Sequence, residues 1–168
     1  MEAIFLSSRP LYSGREANRR SQMTEFERVY TMTDYYDGPR GGIASVNGRP
    51  HVYTSIFDSS EDEYSDVFEL RLVDDTTLQL ALEDWEIWLR WEDAHRAGVA
   101  SLETHPALPA DRLRHDEIAP ILAARLAALT SPAVRARAEF RPTPAHENAG
   151  RGRWLEARWT MAGSDETP

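Results

Sequence analysis

The sequence predicts an α+β fold: a two-layer sandwich with an antiparallel sheet of about five strands, ordered β-β-β-α-α-β-β, and two helices on one face. Three observations carry this expectation. Five short runs of β-prone residues mostly alternate apolar with polar positions, two longer runs repeat apolar residues at helical spacing, and both helical runs fall between the third and fourth strands. Strands with one apolar and one polar face imply a sheet wetted on one side, which leaves the other side for the helices.

The first two strands are Ile43–Val46 and Arg49–Phe57, joined by Asn47-Gly48. Asn-Gly between β-prone runs predicts a type I′ turn, because both central residues need positive φ. That turn sets Val46 opposite Arg49, Ala44 opposite His51 and Ile43 opposite Val52. Pro50 lacks a ladder donor, which suggests an edge. In the third strand Phe68, Leu70 and Leu72 share a face, with Glu69 and Arg71 on the other. A long helix is expected from Thr76 or Thr77 to about Ala97, with Thr76 and Gln79 as a capping box and Gly98 as its stop. A second helix spans roughly Asp116 to Leu129, with Pro120 near its first turn. The last strands place Val134, Ala136, Ala138 and Phe140, then Leu155, Ala157, Trp159 and Met161, on the apolar face. Residues 1–33 show no sustained period and are expected to be a poorly ordered arm. Residues 34–162 form the single domain, and 163–168 a disordered tail.

Composition removes whole classes of chemistry. The chain has no Cys, which excludes thiol nucleophiles, disulfides and Cys-ligated metals, and all 19 basic residues are Arg. Without Lys there is no Walker A lysine and no Schiff base. Of the 28 acidic residues, 17 lie between 57 and 117, against 5 of the arginines, and the net charge is −9. Such a chain is poorly suited to a nucleic-acid backbone and better suited to a basic protein partner. No apolar run approaches the roughly 18 residues of a membrane span, and Ala3–Leu6 is too short for a signal-peptide core, so a cytoplasmic protein is expected.

Three sets of residues are candidates for function. On the first helix, Leu78, Leu82, Trp85 and Leu89 form the stripe expected to face the sheet, while Leu80, Ile87 and Trp91 lie nearly opposite with Asp84 between them. Left in water, that second stripe forgoes about 1.5–3 kcal/mol per residue. It therefore marks either a surface covered by the chain itself or a site for a partner protein or a second copy. Arg71, Arg135, Arg137 and Arg158 stand on the polar sheet face, where they form either a ladder of ion pairs or an anion-binding surface. His51, Asp37, Arg40 and Tyr53 near the first hairpin hold the side-chain types of an acid–base site. The acidic run Asp58–Asp66 lacks the glycine of a calcium loop, and the histidines lack metal-ligand spacing, so neither metal nor cofactor is expected. The preferred reading is a non-enzymatic interaction module of the adaptor, inhibitor or immunity type, using the acidic centre and the aromatic helix. The alternative is a small hydrolase or isomerase built on the His51 group.

Overall fold

The structure, a computed structural model, describes residues 25–33, 38–144 and 154–162. Six strands and two helices follow one another as β1 (Glu27–Thr33), β2 (Gly41–Val46), β3 (Arg49–Asp58), β4 (Glu63–Leu72), α1 (Asp75–Arg96), α2 (Arg112–Ala127), β5 (Val134–Pro142) and β6 (Leu155–Met161), with one 3₁₀ turn at Leu102–Thr104. Each strand pairs antiparallel with its neighbour in chain order and β6 pairs with β1, closing the sheet into a barrel. The open five-strand sandwich is therefore wrong. Alternating residues report one inner and one outer face, a pattern that an open sheet and a closed barrel share. What distinguishes them here is a sixth strand, β1, which lies inside the stretch expected to be an arm.

That strand escaped the period-two criterion for a local reason. The β1–β2 register shifts between Val29 and Thr31, so Tyr30 is an extra residue. Val29 and Met32 both join the interior cluster, while Tyr30 packs with the outer one. Inward positions thus fall three apart rather than two. The domain boundary moves back to Glu27 at the latest; residues 1–24 and the tail 163–168 lie outside the described residues.

A six-stranded barrel is narrow, and its interior is filled by side chains. Tyr53, Phe68, Phe140 and Trp159 are within 5.6–6.0 Å of one another, centroid to centroid, in all six pairings. Ala44, Ala136 and Ala157, each fully buried, leave room for these rings. The two polar tips are satisfied: Trp159 Nε1 donates to Ser45 O at 3.0 Å and Tyr53 Oη donates to Thr31 O at 3.3 Å.

The β2–β3 hairpin has the expected register, Val46 opposite Arg49, Ala44 opposite His51 and Ile43 opposite Val52. Asn47 and Gly48 have φ of 53° and 72°, as a type I′ turn requires. Pro50 is not on an edge, since β3 pairs with both β2 and β4; it occupies the second position of its strand. A contact from β1 holds this turn. The Glu27 carboxylate accepts from Ser45 Oγ at 2.5 Å, Asn47 N at 2.7 Å and Gly48 N at 2.8 Å.

Both helices lie outside the barrel. Ile43, Val73 and Ala81 form a buried cluster with Val52, Leu78 and Leu126 packed against it, which places α1 and α2 over the β1–β3 wall. The cap of α1 is Asp74, whose carboxylate accepts from Thr77 N at 2.7 Å, in place of the expected Thr76–Gln79 box. Arg125 of α2 donates to the same carboxylate. At its other end Gly98, with φ of 72°, donates to His95 O. The second helix starts four residues earlier than expected, which puts Pro120 in its middle.

The cap makes a prediction about acid. Hydrogen bonds from Thr77 and then Arg125 lower the Asp74 carboxyl from 3.8 to about 2. Its folded value lies below its unfolded one, so the stability it contributes is present above about pH 4 and is lost as pH falls toward about 2. In urea unfolding followed between those limits, Asp74→Ala is expected to lose less stability on acidification than the parent. An equal loss in both proteins would remove this role.

Candidate functional site

The second stripe of α1 faces inward. Ile87 is 1% exposed and Trp91 4%. Ile87 clusters with Ala107 and Ile118, and Leu80 and Leu122 pack against them. The 98–111 connection and α2 cover this side of the helix, so Leu80, Ile87 and Trp91 are core rather than a surface open to a partner. Arg112 secures the cover by donating to the carbonyls of Thr104 and Ala107 at 2.5 and 3.0 Å. Ion pairs complete it: Arg90 with Asp111 and Arg114 with Glu83, each through two hydrogen bonds of 2.7–3.0 Å. The guanidinium donors hold Asp111 and Glu83 below the usual carboxylate range. Asp84 Oδ1 lies 2.7 Å from His115 Nδ1. Ile87→Glu combined with Trp91→Glu is expected to destabilise the fold by at least about 3–5 kcal/mol, because two unpaired charges would be placed among apolar side chains. Circular dichroism through a thermal melt checks this; retained helix with an unchanged midpoint would contradict it.

The arginines of the outer barrel face are mostly engaged with the chain's own groups. Arg71 Nε donates to Glu69 at 2.9 Å and its Nη1 to Ser131 O at 3.1 Å. Arg137 pairs with Asp66 and Arg158 with Glu139. Arg135 stands opposite Glu69 in the β4–β5 register. Arg137–Asp66 and Arg158–Glu139 cross between strands, Arg71–Glu69 lies within β4, and exposed pairs of this kind are worth little each.

Among the described acid–base candidates, Arg40 and Tyr53 line one cavity and His51 does not join them. Tyr53 lies inside the barrel, and burial pushes its phenol well above its ordinary range. His51 lies near the type I′ turn with Nδ1 2.9 Å from Arg49 O. Arg40 is at the opposite end of the same hairpin, where its carbonyl accepts from Ser55 N at 2.7 Å. Asp37 is outside the described residues.

What the fold does assemble is a cavity of about 1310 Å³ between α1 and the barrel end that bears Thr33, Gly41 and Pro142. Met32, Phe140 and Leu155 line it from the barrel, and Trp85, Trp88 and Trp91 from the helix. Trp85 and Trp88 are stacked at 4.7 Å with their planes 18° apart. Trp91 stacks on His95 at 4.9 Å, meets His105 edge-on at 4.6 Å, and donates from Nε1 to Thr104 Oγ1 at 3.1 Å. Across the cavity, Arg40 lies 3.9 Å over the ring of Tyr64. Glu92, buried on the same helix, pairs with Arg96 at 2.6 Å. Among the described residues no group of three or more metal-ligating side chains is placed to hold an ion. No helix among them is long and apolar enough to cross a membrane.

Sequence reasoning missed this cleft because it divided the tryptophans between two helix faces. The signal available was their spacing: residues 85, 88 and 91 drift by only about 60° per step on a helix, so the three rings sweep one continuous side. No family model, no curated protein and no solved structure matches the chain.

Proposed function

We propose that the chain is a non-enzymatic binding module whose ligand, a compact molecule with an aromatic or otherwise flat apolar body, enters the cleft between α1 and the barrel. One observation carries the reading: a cavity of about 1310 Å³ lined by three tryptophans with polar groups at intervals. Ligand sites are commonly concave, mostly apolar and furnished with a few fixed polar groups. The flat face of an indole favours a planar guest. The experiment is a titration of the full chain with 2-naphthalenemethanol, read by tryptophan fluorescence and thermal shift. A saturable spectral change with a raised melting temperature is expected, weakened in Trp88→Ala. A linear, non-saturating response in the parent overturns the reading.

A protein partner is the second reading, favoured by a surface other than the one the sequence singled out. On α2, Leu113 is 74% exposed and Ile121 51% exposed. A basic partner would also be drawn to the acidic region 57–117. Light scattering of the chain alone, and of Leu113→Ser with Ile121→Ser, tests whether a second copy occupies that face.

A further inference from the structure

We infer that the cleft selects a phenol-type guest, a planar aromatic molecule that donates a hydrogen bond, and that His115 Nε2 is the acceptor that selects it; this rests on the reading above that the cleft is a ligand site. On α1, Asp84, Trp88, Trp91 and His95 line the cavity at steps of four, three and four residues, and so share one side of the helix. From α2, His115 joins the same wall. The Asp84 carboxylate lies 2.7 Å from His115 Nδ1, and the two side chains are 24% and 17% exposed. Their neighbours hold the two helices in this alignment. Glu83 and Arg114, the preceding residue on each side, are joined by two hydrogen bonds of 2.7 and 2.8 Å, and Arg90 and Asp111 by two more. Bidentate contacts of this kind fix register even where they add little stability.

A carboxylate facing one imidazole nitrogen keeps the hydrogen on that nitrogen, so in the neutral ring the other nitrogen carries the lone pair. Here Asp84 faces Nδ1, and among the described residues no group donates to Nε2. An acceptor held largely out of water is costly to leave unmatched. A guest with a hydroxyl at the edge of a flat ring satisfies it, while the ring lies against the tryptophan side of the wall. An ether of the same shape strips water from Nε2 and returns nothing. An ammonium guest would have to share the Asp84 carboxylate with His115.

The test is a calorimetric titration of the full chain with 2-naphthol, 2-methoxynaphthalene and 2-naphthylmethylammonium, at about pH 8 where an ordinary imidazole is neutral. Naphthol is expected to bind about tenfold tighter than its methyl ether, although the ether is the more apolar, as one acceptor met or left unmet implies. The ammonium should bind more weakly than naphthol. In His115→Phe, which keeps a flat ring and removes the acceptor, the naphthol-to-ether ratio should fall to about one or below while the ether still binds. His115→Gln, whose amide oxygen can take the place of Nε2, should restore part of the preference. Should His115→Phe fail to fold by circular dichroism, the order of the three probes on the parent decides the matter. An ether that binds as tightly as naphthol, an ammonium that binds more tightly, or a folded His115→Phe with its ratio unchanged overturns the inference while leaving the cleft a ligand site. Failure of all three probes to saturate overturns both.

Discussion

A chain begun at Met32 is expected not to fold. Such a truncation deletes most of β1, the strand that pairs with both β2 and β6 and so closes the barrel. Two effects compound. The neighbouring strands acquire unpaired edges, and backbone donors and acceptors that were bonded across the seam must be satisfied by water at the mouth of an apolar interior. The interior also loses Val29, 7% exposed in the intact protein, and the carbonyl of Thr31 that accepts from Tyr53. Glu27 goes too, leaving Ser45 Oγ and the amides of Asn47 and Gly48 without their acceptor. Together these should exceed the net stability of an ordinary domain, about 5–15 kcal/mol. Loss of the cooperative thermal transition, and of near-ultraviolet circular dichroism from the buried rings, is the expected result. A chain begun at Glu25 keeps every β1 pairing and should keep the transition. A native-like melt from the Met32 chain would mean that the barrel closes without β1.

The largest effect expected from a single substitution is at Gly42. Its φ is 145°, and a β-carbon there would sit 2.0 Å from Thr31 O and 2.7 Å from Thr31 C, atoms of the β1 backbone that cannot rotate aside. Gly42→Ala must therefore push β1 and β2 apart at the seam or unfold them. We expect a loss of about 3–5 kcal/mol, from clash and backbone strain together. Gly48 is the internal comparison, because its φ of 72° favours glycine but a β-carbon there meets nothing within 4 Å. Gly48→Val should cost only the strain, about 1–3 kcal/mol. Chemical denaturation of the two variants side by side decides it, and a Gly48 variant less stable than Gly42→Ala would show that turn conformation outweighs seam packing.

These two variants also mark how far the chain could be read before its structure. The hairpin at Asn47-Gly48 was fully legible, register included, because a type I′ turn is a property of two adjacent residues and their φ angles. The role of Gly42 was not, since its constraint comes from Thr31, eleven positions away, and only when the β1 bulge brings that carbonyl across. Glu27 is similar: nothing in its neighbours along the chain announces an acceptor for a turn twenty residues on. The inner positions of β4, β5 and β6 were legible from alternation. Those of β1 were hidden by one extra residue.

For the candidate site the division runs along the same line. The apolar stripes on both sides of α1 were visible, as was the cost of leaving either in water. What would cover the second stripe was not, because Ile118 and Ala107 reach Ile87 only through the fold of the 98–118 segment. The His51–Arg40–Tyr53 group divides for the converse reason: nearness in sequence is not nearness in space, and the length of the β2–β3 hairpin separates His51, beside its turn, from Arg40 at its open end, while Arg40 and Tyr53 line one cavity. Local rules of turn, period and capping acted over a few residues, and they determined the strands from Ile43 onward, both helices in outline and the exclusion of Cys and Lys chemistry. Closure of the barrel, burial of Tyr53 and Trp91, and assembly of an arginine, a tyrosine and three tryptophans around one cavity depend on contacts between distant segments. Those contacts are selected by shape and burial once the chain is compact, and no short window of sequence contains them.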